Sequence, residues 1–273
     1  CSSLKEILIP SSVNSVKEFA FSKCNKLTQV TLDPLTTSIN STAFDKCNSL
    51  NSLSFNTKEL STQVYDMNTF PKIIYIQFLQ NISAISSSAF NGYSSIQSIT
   101  IPESVEKIED SAFYDCSSLT DVTIPESVTF IGESAFEKCS SLSEIEVPSS
   151  ISIIQKSTFK DCSSLLKVKI PSSVKYIDES AFSGCTYLPQ IAIPSSVTGI
   201  ASSAFKGCTA LSLISLNVNV TKVYPNAFYN CFSLDRLSIQ TTCNSIHHFD
   251  IDLLQRITKI ALSSNVQLIE KSA

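Results

Sequence analysis

The chain repeats itself at a fixed interval of 23 residues, and that interval limits the fold more than any other feature. The stretch DSAFYDCSSLTDVTIPESV begins at Asp110, and ESAFEKCSSLSEIEVPSSI begins at Glu133. Cys1, Cys24, Cys47, Cys116, Cys139, Cys162, Cys185, Cys208 and Cys231 are separated by 23 residues or a multiple of it. The two missing places hold Phe70 and Tyr93, so an apolar group still fills the slot. Only Cys243 leaves this ladder, standing where other units place Val. Three, six and eight residues after each ladder place stand further rows, such as Leu119, Val122 and Ile124, or Leu142, Ile145 and Val147. None of their 36 members is polar, although only 43% of the chain is hydrophobic. The repeat carries no insertion.

Twenty-three residues are too few for a helical hairpin unit and suit one coil of a solenoid. The apolar pair at places six and eight has period two and favours β-branched residues, which predicts a strand with one buried face. Pro10, Pro102, Pro125, Pro148, Pro171 and Pro194 follow it, where proline ends a ladder. A second apolar set, Val105/Ile108, Val128/Ile131 and Val174/Ile177, fits either a short strand or an extended turn on the far wall. The Ser-Ala-Phe phrase before each cysteine reads as one turn of helix, with Ala and Phe facing inward. Only 5 Gly are present, so Ser, Asn, Asp and Pro must make the turns.

The pattern Leu-x-x-Ile-x-Ile-Pro-x-x-Val-x-x-Ile-x-x-x-Ala-Phe-x-x-Cys resembles the BspA-like leucine-rich repeats, also known from treponemal surface proteins. The resemblance covers residues 1–273 as a single repeat domain of eleven full units and one partial. It implies an α/β, β-rich solenoid: a right-handed leucine-rich-repeat horseshoe of 23-residue coils with a parallel sheet on one face. It also implies a secreted or cell-surface protein of mucosal bacteria or parasitic protists, adhering to host matrix or to other microbes. The pattern thins between Lys58 and Gln80, where Thr62, Asp66 and Met67 replace Ile, Ala and Phe. It drifts again at Asp250 and Ile251. The Gly common after the second Ile survives at Gly132. An irregular wall and a partner contact both fit these departures.

The cysteine ladder argues for buried thiols rather than disulfides. Stacked coils hold equivalent side chains parallel and about 4.8 Å apart, whereas a disulfide needs converging Cβ atoms about 3.8 Å apart. No C-x-x-C pair offers a zinc site. The two histidines, His247 and His248, are adjacent and point opposite ways on an extended chain, so they cannot share one site. The sequence has no G-x-S-x-G, no phosphate-binding glycine loop and no H-E-x-x-H. No enzymatic activity, metal or cofactor is expected. A net charge of −4 gives no pull toward nucleic acid, and no stretch of 18 apolar residues is present to span a bilayer. Sequons at Asn40, Asn81 and Asn219 fit exposed turns, at about the number chance would give.

Places five and seven should face outward along the sheet. One row then includes Tyr75, Asp121, Glu144 and Lys167, the other Gln77, Glu146 and Lys169. These seven are the candidate protein-binding residues. Two readings stay open for the charged ones: a docking patch, or pairing of Glu144 with Lys167 and of Glu146 with Lys169. A protein partner is expected, with a host-matrix protein implied by the resemblance alone. An intracellular protein-binding scaffold is the rival reading. Both chain ends cut the repeat in mid-unit, which leaves end-to-end or side-by-side association open.

Overall fold

The computed structural model describes residues 1–33, 38–57, 69–70, 72–217, 219–220, 222–224, 226–240, 245–246, 258–262 and 268–269. Each 23-residue unit makes one circuit of a parallel β-solenoid. Its main sheet takes one strand per coil, from Glu6–Ile9 through Asp121–Thr123, Glu144–Glu146 and Lys167–Lys169 to Lys259–Leu262. The register shifts by one unit at each step, so Glu6 faces Gln29, Gln29 faces Ser52 and Leu213 faces Arg236. Alternation in the sequence sets this arrangement. Val122, Ile145 and Ile191 point into the core, and a slip of one residue would expose them all.

The second apolar set forms two-residue strands on a second wall. Lys107–Ile108, Phe130–Ile131, Ile153–Ile154, Tyr176–Ile177 and Gly199–Ile200 stack there with Ile108, Ile131, Ile154 and Ile177 inward. Of the two readings the sequence left open, the short strand is the one adopted.

No helix occurs among the described residues, so the helical turn expected at Ser-Ala-Phe is corrected. Ser111 and Asp115 adopt left-handed backbone angles, φ 55° and 57°, and the same places recur at Ser134 and Lys138, and at Ser157 and Asp161. Gly92, Gly184 and Gly207 take the second of these places in other coils, with φ between 74° and 78°. These residues turn alternate amides in different directions. Ala112, Tyr114 and Cys116 donate within their own coil, to Glu109, Ser111 and Phe113. Ser111, Phe113 and Asp115 donate to Glu133, Ala135 and Glu137 of the next coil, each at 2.8 Å. A helical turn would aim every amide along its own axis and leave none to join coils. Serine hydroxyls add further links: Ser104 to the Ile82 carbonyl at 2.7 Å, Ser127 to Val105 at 2.8 Å and Ser196 to Val174 at 2.6 Å. Serine therefore works between coils as well as within turns.

Two stacks fill the interior. Phe90, Phe113, Phe136, Phe159, Phe182, Phe205 and Phe228 lie ring on ring, with successive centroids 5.2 to 5.7 Å apart. Beside them runs the cysteine ladder. Cys24 through Cys231 are buried and free, while Cys1 is exposed. The thiols from Cys47 to Cys231 also have a hydrogen-bond partner. Sγ of Cys116, Cys139, Cys162 and Cys208 donates to the carbonyl of Phe90, Phe113, Phe136 and Phe182, at 3.1 to 3.2 Å. Phe70 and Tyr93 are buried in the slot as expected, and Phe70 reaches Phe44 with ring centroids 5.2 Å apart. Thr62, Asp66, Met67, Cys243, His247, His248, Asp250 and Ile251 lie outside the described residues.

Candidate functional site

The seven candidate residues share one face of the main sheet. Tyr75 pairs with Ser98 and Ser98 with Asp121 in the first row, and Glu144 pairs with Lys167. Gln77, Glu146 and Lys169 lie in the second row. All seven are exposed, with Tyr75 at 50%. Ser54 in the same second row is the exception: it is buried, and its hydroxyl accepts the Gln29 side-chain amide at 2.9 Å.

The structure realises the charge pairing. Lys167 Nζ lies 3.2 Å from Glu144 Oε2, and Lys169 pairs with Glu146. The hydrogen bond from Lys169 to Glu146, and then the carboxylate charge, raise the ammonium pKa above its usual value. These four side chains remain 60–70% exposed, so water screens both pairs and their part in stability is small. Asp121 stands outside this pairing. Tyr75 and Gln77 lie on a coil two removed from it, separated by Ser98 and Thr100.

A group of exposed apolar side chains, which the sequence did not single out, lies where the chain enters the sheet. Leu166, Tyr187 and Phe232 are 54%, 64% and 61% exposed. Pro189 is exposed beside the Leu166 place on the next coil. Backbone bonds fix the edge: the Leu166 amide donates to Ser143 at 2.8 Å and the Tyr187 amide to Ser163 at 3.1 Å. Close by in the coil, the Lys206 ammonium sits 5.9 Å above the Tyr229 ring. The signal in the sequence was departure from the unit's polar places. Other coils have Ser118, Ser141 and Ser164 where Tyr187 stands, and Thr120 and Ser143 where Leu166 stands.

Among the described residues no group of three or more His, Cys, Asp and Glu could hold a metal ion. A cleft of about 350 Å³ is lined by Thr42, Phe44, Cys47, Leu50, Phe70 and Ile73, with Asp45 and Lys46 at its polar side. Burial raises the pKa of Cys47 and Cys116, and pushes that of Cys139 up to about 12, so these three thiols stay protonated and are poor nucleophiles. No helix among the described residues is long and apolar enough to cross a membrane.

The profile of the BspA type Leucine rich repeat region matches six copies, over residues 1–92, 67–189 and 176–273. The chain belongs to the BspA-type leucine-rich repeat family. Among solved structures, a leucine-rich repeat protein from Bacteroides ovatus is similar at 24% identity and a TM-score of 0.57, over 98% of this chain and 72% of that one. A leucine rich cell surface protein from Faecalibacterium prausnitzii is 23% identical over 88% of this chain and 79% of its own, with a TM-score of 0.39. The T. pallidum leucine rich repeat protein is 26% identical over 68% and 78% respectively, with a TM-score of 0.41. None of the curated proteins compared with the sequence matches it. The B. ovatus protein supports the fold of this BspA-type chain and says nothing of its ligand.

Proposed function

We propose that the chain is a non-catalytic recognition module, displayed at a cell surface or secreted, that docks a protein partner across the main sheet and its entry edge. The observation that carries this reading is the exposed edge of Leu166, Tyr187 and Phe232 beside a rigid, polar sheet face. Interfaces draw most of their energy from a few aromatic or Arg anchors, and this edge supplies aromatic ones where the sheet face offers Tyr75 and Arg236. Asp121 and the Glu144–Lys167 and Glu146–Lys169 pairs would then form a polar rim fixing orientation. Membership of the BspA-type family supports the surface location and an adhesive role toward matrix proteins.

The test is equilibrium binding of the purified chain to immobilised extracellular-matrix proteins at physiological salt. Saturable binding is expected, weakened at least tenfold by Tyr187→Ser with Phe232→Ser, with the rim variants Lys167→Glu and Lys169→Glu altering association rate. Absence of saturable binding, or equal binding by the edge variant, overturns the proposal.

A further inference from the structure

The charge of this chain is concentrated in one band of coils. Residues 103–146 hold eleven of its 24 acidic side chains, with Lys107 and Lys138 the only bases among them. Three of the eleven are taken by lysines of later coils: Glu137 by Lys160 at 2.7 Å, Glu144 by Lys167, and Glu146 by Lys169. The remaining eight, among them Glu106, Asp110, Glu126 and Glu133, make no ion pair within 4.0 Å among the described residues. Several accept backbone amides, as Asp110 does from Glu133 at 2.9 Å.

Through this band, on the second wall, runs an apolar stripe. Phe130 and Ile153 occupy the outward place of successive two-residue strands, at 37% and 38% exposure. Tyr176, half-buried, continues the row opposite Ile153. On the preceding coil the outward place holds Lys107, which pairs in register with Phe130. Glu106 and Glu133 flank the stripe and are exposed.

We propose that this second wall docks a basic protein segment, an extended stretch alternating Lys or Arg with aliphatic residues, laid across Phe130 and Ile153. Charge complementarity selects the occupant. Unpaired carboxylates beside apolar side chains attract cations that bring their own apolar neighbours, and each cation steers the encounter. Anionic lipid is repelled by the same carboxylates. A second copy of this chain fits poorly, because Lys156, Lys160, Lys167 and Lys169 on the adjoining coils are already held by Glu179, Glu137, Glu144 and Glu146. This inference stands apart from the sheet-face reading, since it uses another wall and other residues.

The probe is a synthetic nonapeptide with Lys at odd places and Val or Leu at even ones, measured by fluorescence anisotropy at 50 and 300 mM NaCl. Two controls replace Lys by Glu, or the aliphatic residues by Ser. The basic aliphatic peptide should bind at least tenfold tighter than either control, and more weakly at the higher salt. Phe130→Ser with Ile153→Ser should abolish the advantage of the aliphatic residues. Glu106→Gln with Glu133→Gln should flatten the salt dependence. All these positions are exposed, and thermal unfolding of each variant verifies that it folds. Equal binding of the Ser-substituted peptide, which is charge attraction alone, overturns the proposal. So does indifference to the wall variants, or sedimentation showing that a second copy covers the wall.

Discussion

A buried cysteine in most coils solves a problem that neither alanine nor serine solves as well. The slot lies in the core, where an apolar side chain is favoured, yet the neighbouring Phe carbonyl has a second lone pair to satisfy. The Phe113 carbonyl accepts the Cys116 amide at 3.2 Å from its own coil and the Cys139 thiol at 3.2 Å from the next. A thiol is small and apolar enough for the core and still donates weakly. Cys139→Ala should therefore lose about 1–3 kcal/mol, from the vacated volume and the lost bond together, measurable by urea denaturation. Alkali gives a second check. An unfolded cysteine ionises near 9.0, whereas the folded Cys139 thiol holds its proton until about 12. Between those values the unfolded chain binds fewer protons, so stability is intact below pH 9 and falls as pH rises through the window, by about 1.4 kcal/mol per unit for each such thiol. Replacing Cys139 by Ala should make that fall shallower. The burial of these sulfurs was legible from their spacing; their bonds to carbonyls were not, because spacing carries no information about the backbone lone pair they face.

At the scale of the element, the strands were legible and the turn wall was not. Period-two alternation around Ile145 can be satisfied only by a strand with one face inward, and the parallel register follows from the repeat itself. The Ser-Ala-Phe phrase carries a serine and two inward residues, which a helical turn and a left-handed turn ladder display alike. The difference lies in φ at Ser134 and Lys138, 53° and 63°. A hint was present in Gly184 and Gly207, which share the Lys138 place. Lys46, at φ 58°, occupies the same place, so Lys46→Gly should be neutral or stabilising by up to about 1 kcal/mol, and Lys46→Val destabilising, by thermal unfolding. The Phe stack sets the other prediction. Phe136 is fully buried between Phe113 and Phe159, at 5.2 and 5.7 Å, and Phe136→Ala should cost about 3–5 kcal/mol. The candidate binding residues divide in the same way. The rows holding Glu144 and Lys167 followed from alternation, but Tyr187 and Phe232 sit in turn places whose exposure only the folded edge reveals.

For the whole molecule, stability is a sum of contacts between neighbouring coils rather than the property of one closed core. Such a chain tolerates uneven charge, because the acidic band of residues 103–146 disturbs its own coils and those beside them. Raising salt should screen the carboxylates of that band and raise its unfolding temperature, while leaving the nearly uncharged stretch from Ser180 to Leu234 unchanged. Hydrogen exchange resolved along the chain checks this: protection should rise with salt around Glu106–Glu133 and stay level around Phe205. The bonds from Ser111, Phe113 and Asp115 to the following coil also have a mechanical meaning. Pulled from its two ends, the molecule should unreel like thread from a spool, giving evenly spaced force peaks. Each turn of 23 residues releases a contour of about 80 Å less the roughly 4.8 Å it occupied when wound.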